Sequence, residues 1–195
     1  MSIIGILALQ GGFDAHRRSI ERLGRKSILV RSRDDLQHTE ALIIPGGEST
    51  VMIQLLQRLD LLNPLKERIQ SGMPVFGTCA GMILLSSGIY EKEQETLNIM
   101  DFLVLRNAYG RQSESFEAVL HWKDSTKSVM DSSIPGVFIR APRVTELGKK
   151  VTVLMRFEKH PVLLQQGSCL AASFHPELTA SVAVHSYFLN EIVHR

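Results

Sequence analysis

The chain opens on Ile3-Ile4-Gly5-Ile6-Leu7-Ala8-Leu9, an unbroken apolar run rich in β-branched side chains that stops at Gln10-Gly11-Gly12. A strand buried on both faces reads this way, because neither row of side chains has to meet water. From Phe13 to Leu23 the period changes: Phe13, Ile20 and Leu23 recur at helical spacing, and Gly24 is a stop signal. Ser27 to Val30 and Ala41 to Ile44 read as two more short strands, the second cut off by Pro45-Gly46-Gly47. A helix follows near Ser49 with Val51, Met52, Leu55, Leu56 and Leu59 as its apolar stripe, and a second runs from Asn63-Pro64 to Ser71-Gly72. Val75-Phe76-Gly77 is then a brief strand leading through Thr78-Cys79-Ala80-Gly81 into an apolar helix from Met82 to Ser86.

The second half is richer in strands, expected at Leu103 to Arg106, Phe116 to His121, Gly136 to Ile139, Val151 to Phe157, Val162 to Gln165 and Cys169 to Phe174. A closing helix is expected from Thr179 to Val193. Strand and helix alternate in the first half, which argues for an α/β fold: a mostly parallel central sheet with helices on both faces, extended by a few antiparallel strands. Tyr90 to Met100 and Lys123 to Ser133 are polar and read as exposed loops, with Glu91, Glu93 and Glu95 solvated rather than bound to a metal.

At 195 residues, with 44% hydrophobic and 22% charged, the chain has the composition of one globular domain, 1–195, and not of a disordered one. No apolar run approaches the roughly 18 residues that span a bilayer, and no basic segment precedes Ile3, so a cytoplasmic protein with no membrane partner is expected. A formal charge of +2 gives no ground for a nucleic-acid partner. One stretch departs from this balance: Arg17, Arg18, Arg22, Arg25, Lys26, Arg31 and Arg33 face only Asp14 and Glu21, as either a solvated face or a surface for an acidic partner or anionic ligand.

Gly77-Thr78-Cys79-Ala80-Gly81 is G-x-C-x-G between a strand and a helix, the thiol counterpart of the G-x-S-x-G nucleophile elbow. The glycines permit a tight turn that exposes the side chain at the sheet edge, and the next backbone N–H, of Ala80, can face a developing oxyanion. An ordinary thiol, with pKa about 8.5, is only a few per cent thiolate at neutral pH, so a nucleophile there needs a histidine. Phe174-His175-Pro176-Glu177 supplies one: residues at i and i+2 of an extended segment share a side, which lets Glu177 orient His175. Cys169, inside an apolar run, reads as a core residue. The histidines at 16, 38, 121, 160, 185 and 194 form no zinc-ligand spacing, so no metal is expected. Pro45-Gly46-Gly47-Glu48-Ser49 lacks the lysine of a P-loop; its N–H groups suit an oxyanion clamp, a phosphate or a plain turn. Gln10-Gly11-Gly12 lacks G-x-G-x-x-G and gives no dinucleotide site.

With Cys79 in its elbow, His175-Pro176-Glu177 near the end and Gly46-Gly47 between, the chain resembles the class I glutamine amidotransferases, whose triad is Cys, His and Glu. Leu9-Gln10-Gly11, Pro45 to Thr50, Gly77 to Met82, Arg106-Asn107-Ala108-Tyr109-Gly110-Arg111-Gln112, Phe138-Ile139-Arg140-Ala141-Pro142 and Phe174 to Leu178 look more narrowly like the glutaminase subunits of pyridoxal 5′-phosphate synthases. Val51-Met52, where threonine is common, and Tyr90 to Met100 depart from that pattern. The resemblance implies a three-layer, flavodoxin-like fold and catalysis by Cys79, His175 and Glu177. It further implies that Gly47, Glu48, Ser49, Arg106, Ile139 and Arg140 bind L-glutamine, and that the Gly47 and Ala80 N–H groups form the oxyanion hole. It implies no cofactor in this chain and a synthase subunit as partner in a large hetero-oligomer, with Gln10, Arg17 and Arg18 as candidate docking or activation residues. Other glutaminases of the same class, and a non-catalytic flavodoxin-like module or cysteine sensor sharing the elbow, are the alternative readings.

Overall fold

The computed structural model describes residues 3–90, 93–106, 115–123 and 132–194. The four apolar runs of the first half become β1 (Ile4–Leu7), β2 (Ser27–Val30), β3 (Ala41–Ile44) and β4 (Val75–Thr78). With β12 (Cys169–Ala172) they form a parallel set in the order β2-β1-β3-β4-β12. The crossovers are α1 (Phe13–Arg22), α2 (Arg33–Gln37), and α3 (Ser49–Arg58) followed by α4 (Leu62–Gln70). Alternation along each strand sorts the side chains into two cores. Ile4, Ile6, Ile43 and Phe76 share one core with Ile20 of α1 and with the C-terminal helix, α6 (Ala183–Tyr187), which runs on into π-helical turns over Phe188–Val193. Leu7, Leu42, Ile44 and Val75 share the other with Met52 and Leu56 of α3, Leu65 and Ile69 of α4, and Ile83 of α5 (Ala80–Leu85).

Beyond β12 the same sheet continues antiparallel through β11 (His160–Gln166), β10 (Thr152–Phe157), β7 (Ser115–Trp122) and β8 (Ser133–Ile139), nine strands in all. A separate sheet joins β5 (Ser86–Ile89), β6 (Met100–Leu105) and β9 (Arg143–Leu147). The α/β architecture expected from the sequence is the one observed. Three elements were not: α2 has one turn with a single buried apolar residue, Leu36, and rests on a Ser32/Asp35 capping box; β5 follows directly from the expected helix, beginning at Ser86; and β9 buries only Val144, its other apolar residue, Leu147, being exposed. The closing helix starts at Ala183, four residues later than expected, because Thr179 Oγ1 accepts from Ser181 N–H and donates to Pro176 O, holding the chain in turns. Among the described residues no helix is long and apolar enough to cross a membrane.

Candidate active site

β1 and β3 are neighbours whose following connections leave in opposite directions, the point in an open α/β sheet where a crevice forms at the carboxyl ends. Gln10-Gly11-Gly12 after β1, Pro45-Gly46-Gly47 after β3 and Cys79 after β4 all arrive there. The first two loops are pinned together: Gly12 N–H donates to Gly46 O at 3.1 Å, and at Gly11, with φ +92°, a side chain would overlap that same carbonyl. The crevice has a volume of about 280 Å³, and its walls include Gln10, Gly47, Glu48, Ser49, Cys79, Ala80, Arg106, Ile139, Arg140 and His175.

Cys79 has φ 49° and ψ −104°, a backbone conformation that costs a non-glycine residue about 1–3 kcal/mol. Its N–H donates to Ala172 O at 2.8 Å and its carbonyl accepts from Ile83 N–H at 3.2 Å, so strand and helix hold the strained residue from both sides. The flanking glycines are a packing requirement: a Cβ on Gly77 would lie 2.6 Å from the Gly81 carbonyl, and one on Gly81 would overlap Ile44 O. The Cys79 thiol donates to Ile139 O at 3.8 Å. Ala80 opens α5, so its N–H has no intrahelical acceptor. Cys169, buried on β12, has its thiol pushed up to about 11 by burial, in keeping with a core role.

His175 follows β12 and is fixed by its N–H on Val137 O of β8 at 2.8 Å. The next residues are not extended, as the i, i+2 argument assumed, but form a 3₁₀ turn over Pro176–Leu178. Proline at its first position needs no N–H partner and supplies the φ of such a turn. The side chains still meet, His175 Nδ1 lying 2.7 Å from Glu177 Oε1. Gly46 leaves room for the ring: a Cβ there would lie 3.3 Å from Cys79 Cβ and 3.0 Å from His175 Nδ1, and closer still to Cε1. Burial disfavours the His175 imidazolium, but hydrogen bonds with Cys79 and Glu177 and the charges of both outweigh it and push its pKa up to about 10. Burial likewise disfavours the Glu177 carboxylate, yet His16 and His175 on its two oxygens hold its pKa down at about 2. Cys79 therefore faces an imidazolium whose far nitrogen is bonded to a carboxylate.

The opposite wall is a polar network. Arg106, just past β6, puts Nη2 2.6 Å from Glu48 Oε1 and Nη1 2.9 Å from Gln94 Oε1 and 3.2 Å from Thr50 Oγ1. Partial burial raises the Glu48 carboxyl, but Thr50 N–H and Arg106 more than reverse this and lower its pKa. Ser49 lines the crevice but is buried, its hydroxyl bonded to Gln94, so it also braces the wall. Glu48 N–H donates to Gln10 Oε1 at 2.8 Å, which folds the Gln10 side chain over Gly47. Arg140 is exposed with φ 43° at the end of β8.

Arg17 and Arg18 lie away from the crevice on the outer face of α1, and Arg17 is already paired with Asp14 at 3.4 Å and Glu21 at 3.9 Å. The basic stretch is not one surface: Arg22 donates to Ala180 O, and Arg31 lies over the Phe13 ring. Glu93 and Glu95 are exposed, the latter accepting from Gln57, whereas Glu91 and residues 107–112 of the quoted motif lie outside the described residues. Sequence reasoning missed four residues tied to this site. Gln94 sat in a stretch read as loop; Thr78 was seen only as part of the elbow; and of the histidines dismissed for lacking metal-ligand spacing, His16 is completely buried beside Glu177 and His185 completely buried against His16.

The sequence matches the model of the SNO glutamine amidotransferase family over residues 6–194. It is 46% identical over 190 residues to a protein of Fervidobacterium nodosum named pyridoxal 5′-phosphate synthase subunit PdxT, covering 97% of each chain. A protein of Desulforudis audaxviator with the same name is 48% identical over 187 residues, covering 96% of this chain and 97% of that one. Among solved structures, one described as a glutamine amidotransferase superposes with a TM-score of 0.90 at 43% identity, covering 98% of this chain and 99% of the other. PurLQS of Thermotoga maritima, at 16% identity and a TM-score of 0.69, shares the fold.

Proposed function

This chain belongs to the SNO glutamine amidotransferase family, and from that premise we propose that it is the glutaminase subunit of a pyridoxal 5′-phosphate synthase, releasing ammonia from L-glutamine for a synthase partner. One observation carries the reading: a cysteine strained to φ 49° at a strand–helix elbow faces a histidine that is oriented by a buried carboxylate. A binding module has no need of that strain or of the His175–Glu177 pair.

In the proposed reaction the Cys79 thiolate attacks the side-chain carboxamide carbon of glutamine, and the oxygen takes up negative charge opposite the N–H groups of Gly47 and Ala80. His175 gives its proton to the amine as the C–N bond breaks, leaving a glutamyl thioester and free ammonia. Water, deprotonated by His175, then attacks the thioester; the C–S bond breaks, glutamate leaves, and the thiolate–imidazolium pair is restored. Arg106 and Arg140 offer guanidinium groups to the substrate α-carboxylate, and Glu48 a carboxylate to its α-ammonium. Gly47, Ser49 and Ile139 shape the cleft through backbone and bracing contacts. Gln10 holds Glu48 N–H, so a partner that draws this side chain away alters the oxyanion-binding turn; Gln10, with Arg17 and Arg18 on α1, is the proposed route by which docking switches on hydrolysis.

The test is glutamate release from glutamine by this chain alone and with the synthase subunit from the same source, with Cys79→Ala as the blank. Activity that appears or rises sharply with the partner is expected. A folded, complexed protein that releases no glutamate overturns the reading.

A further inference from the structure

Behind Glu177, on the side away from Cys79, three polar side chains are packed into the core between α1, β4 and α6. His16 of α1 and His185 of α6 are 0% exposed, and so is Thr78. His16 Nδ1 lies 2.9 Å from His185 Nε2; His16 Nε2 lies 3.1 Å from Thr78 Oγ1 and 3.5 Å from Glu177 Oε2. Glu177 Oε1 is taken by His175, whereas Oε2 is buried with no hydrogen-bond partner among the described residues. A carboxylate oxygen in that position is costly unless a donor faces it.

The contacts choose the tautomers. With the proton on Nε2, His16 donates to Thr78 Oγ1 and presents the positive end of that N–H dipole to Glu177 Oε2 at 3.5 Å, and its bare Nδ1 accepts from His185 Nε2–H. With the proton on Nδ1, a lone pair would face the Glu177 carboxylate. The first arrangement leaves His185 Nδ1 as a bare acceptor with no partner among the described residues, a smaller penalty than a carboxylate opposed by a lone pair. Phe76 seals the cluster, its ring edge-on to both His16 and His185. The charged or titratable groups bearing on it are His175 and Glu177 from the loop after β12, and Arg22 from α1. Burial lowers the pKa of both His16 and His185, so both are neutral.

We propose that His16 is a positioning residue for the triad: its Nε2–H, backed by His185, fixes the second oxygen of Glu177 and so sets the plane in which that carboxylate orients His175. Through Thr78, the residue before the nucleophile, it also ties the elbow to the orienting carboxylate. This inference rests on the glutaminase reading.

The experiment compares His16→Gln and His16→Asn in the complex with the synthase subunit. The longer amide reaches the place of Nε2, the shorter one only that of Nδ1. His16→Gln is expected to keep kcat within about threefold, whereas His16→Asn loses about tenfold or more in kcat with KM for glutamine little changed, the signature of a group acting in the transition state. The pH profile of Cys79 alkylation by iodoacetamide should move in His16→Asn and not in His16→Gln, a readout that loss of stability alone would leave in place. Equal kcat and equal alkylation profiles for the two folded variants overturn the proposal. Absence of glutamate release by the wild-type complex overturns instead the glutaminase reading on which it rests.

Discussion

Gly46→Ala puts a methyl group between Cys79 and His175, the proposed nucleophile and base. Gly46 is not in the left-handed region, so alanine is allowed by its backbone and the effect is one of space. The added carbon would lie 3.0 Å from His175 Nδ1 and 3.3 Å from Cys79 Cβ, against ordinary contact of about 3.5–4.0 Å. The ring must retreat by about 0.5 Å at Nδ1 and further at Cε1, while the elbow on the other side cannot yield because Gly81 is pressed against Ile44 O. That retreat strains the 2.7 Å bond to Glu177 or turns Nε2 away from Cys79. A misplacement near 1 Å costs about 100-fold in rate, or about 2.7 kcal/mol in the barrier, so kcat for glutamate release with the synthase subunit should fall at least about 100-fold. Overpacking should lower stability by about 1–3 kcal/mol, which thermal melts would register while leaving the protein folded at 25 °C. A folded Gly46→Ala complex with kcat within threefold of wild type would refute the claim that this glycine exists to make room for the ring.

Buried His185, with its pKa lowered to about 3, takes up no proton on the folded chain as pH falls below 6.5, whereas the unfolded chain does; stability should drop by about 2 kcal/mol between pH 6.5 and 4.5 from this residue, His16 adding in the same direction. Denaturant titrations should show that His185→Gln, which keeps the donor to His16 but cannot titrate, loses this share of the acid slope; an unchanged slope would contradict the assignment. Arg106→Lys should raise KM for glutamine about tenfold with kcat within about threefold, because one ammonium cannot bond Glu48, Thr50 and Gln94 together; a pure kcat loss would place Arg106 in the chemistry instead. Mass spectrometry after brief iodoacetamide treatment at neutral pH should find Cys79 alkylated and Cys169 untouched, since burial pushes the latter thiol to about 11. Nuclear magnetic resonance should find His175 titrating near 10 in the free protein and clearly lower once Cys79 is carbamidomethylated; an unchanged titration would mean that Cys79 does not hold the proton there.

The parts of this site that the sequence disclosed are those dictated by local backbone geometry. The elbow needs glycine two residues before Cys79 because a Cβ on Gly77 would meet the Gly81 carbonyl, a contact internal to Gly77–Gly81, whereas the glycine at 81 answers to Ile44 O on the neighbouring strand. The strands were legible because each is a short apolar run bounded by turn residues. His175 and Glu177 were paired correctly on an incorrect local argument, since a 3₁₀ turn, not an extended segment, brings them together. What escaped depends on distant segments. His16 and His185 are separated by 169 positions and meet only because α1 and α6 cover the same face of the sheet. Nothing in the spacing of single histidines reports such a contact. Gln94 is hidden for the same reason: it belongs to no regular element, and its role arises from Arg106 and Ser49, which reach it from other parts of the chain.

The causes of the His175 shift also order the steps of the proposed reaction. Two partners hold its proton, and they differ in permanence. Glu177, with its pKa near 2 and 1% of its side chain exposed, is a carboxylate at neutral pH throughout the cycle, so its pull on the imidazolium is constant. Cys79 is a partner only while its sulfur is free. Acylation removes both its hydrogen bond and its charge, and burial, which disfavours the imidazolium, then weighs more heavily. The group that entered the cycle as an acid able to protonate the departing amine thus becomes a base able to take a proton from water. When the thioester breaks, the returning thiolate pulls that proton back into the pair. A residue that steadied Cys79 would blunt this change of role, whereas one that steadies Glu177 leaves it intact, and the buried histidines stand on the Glu177 side.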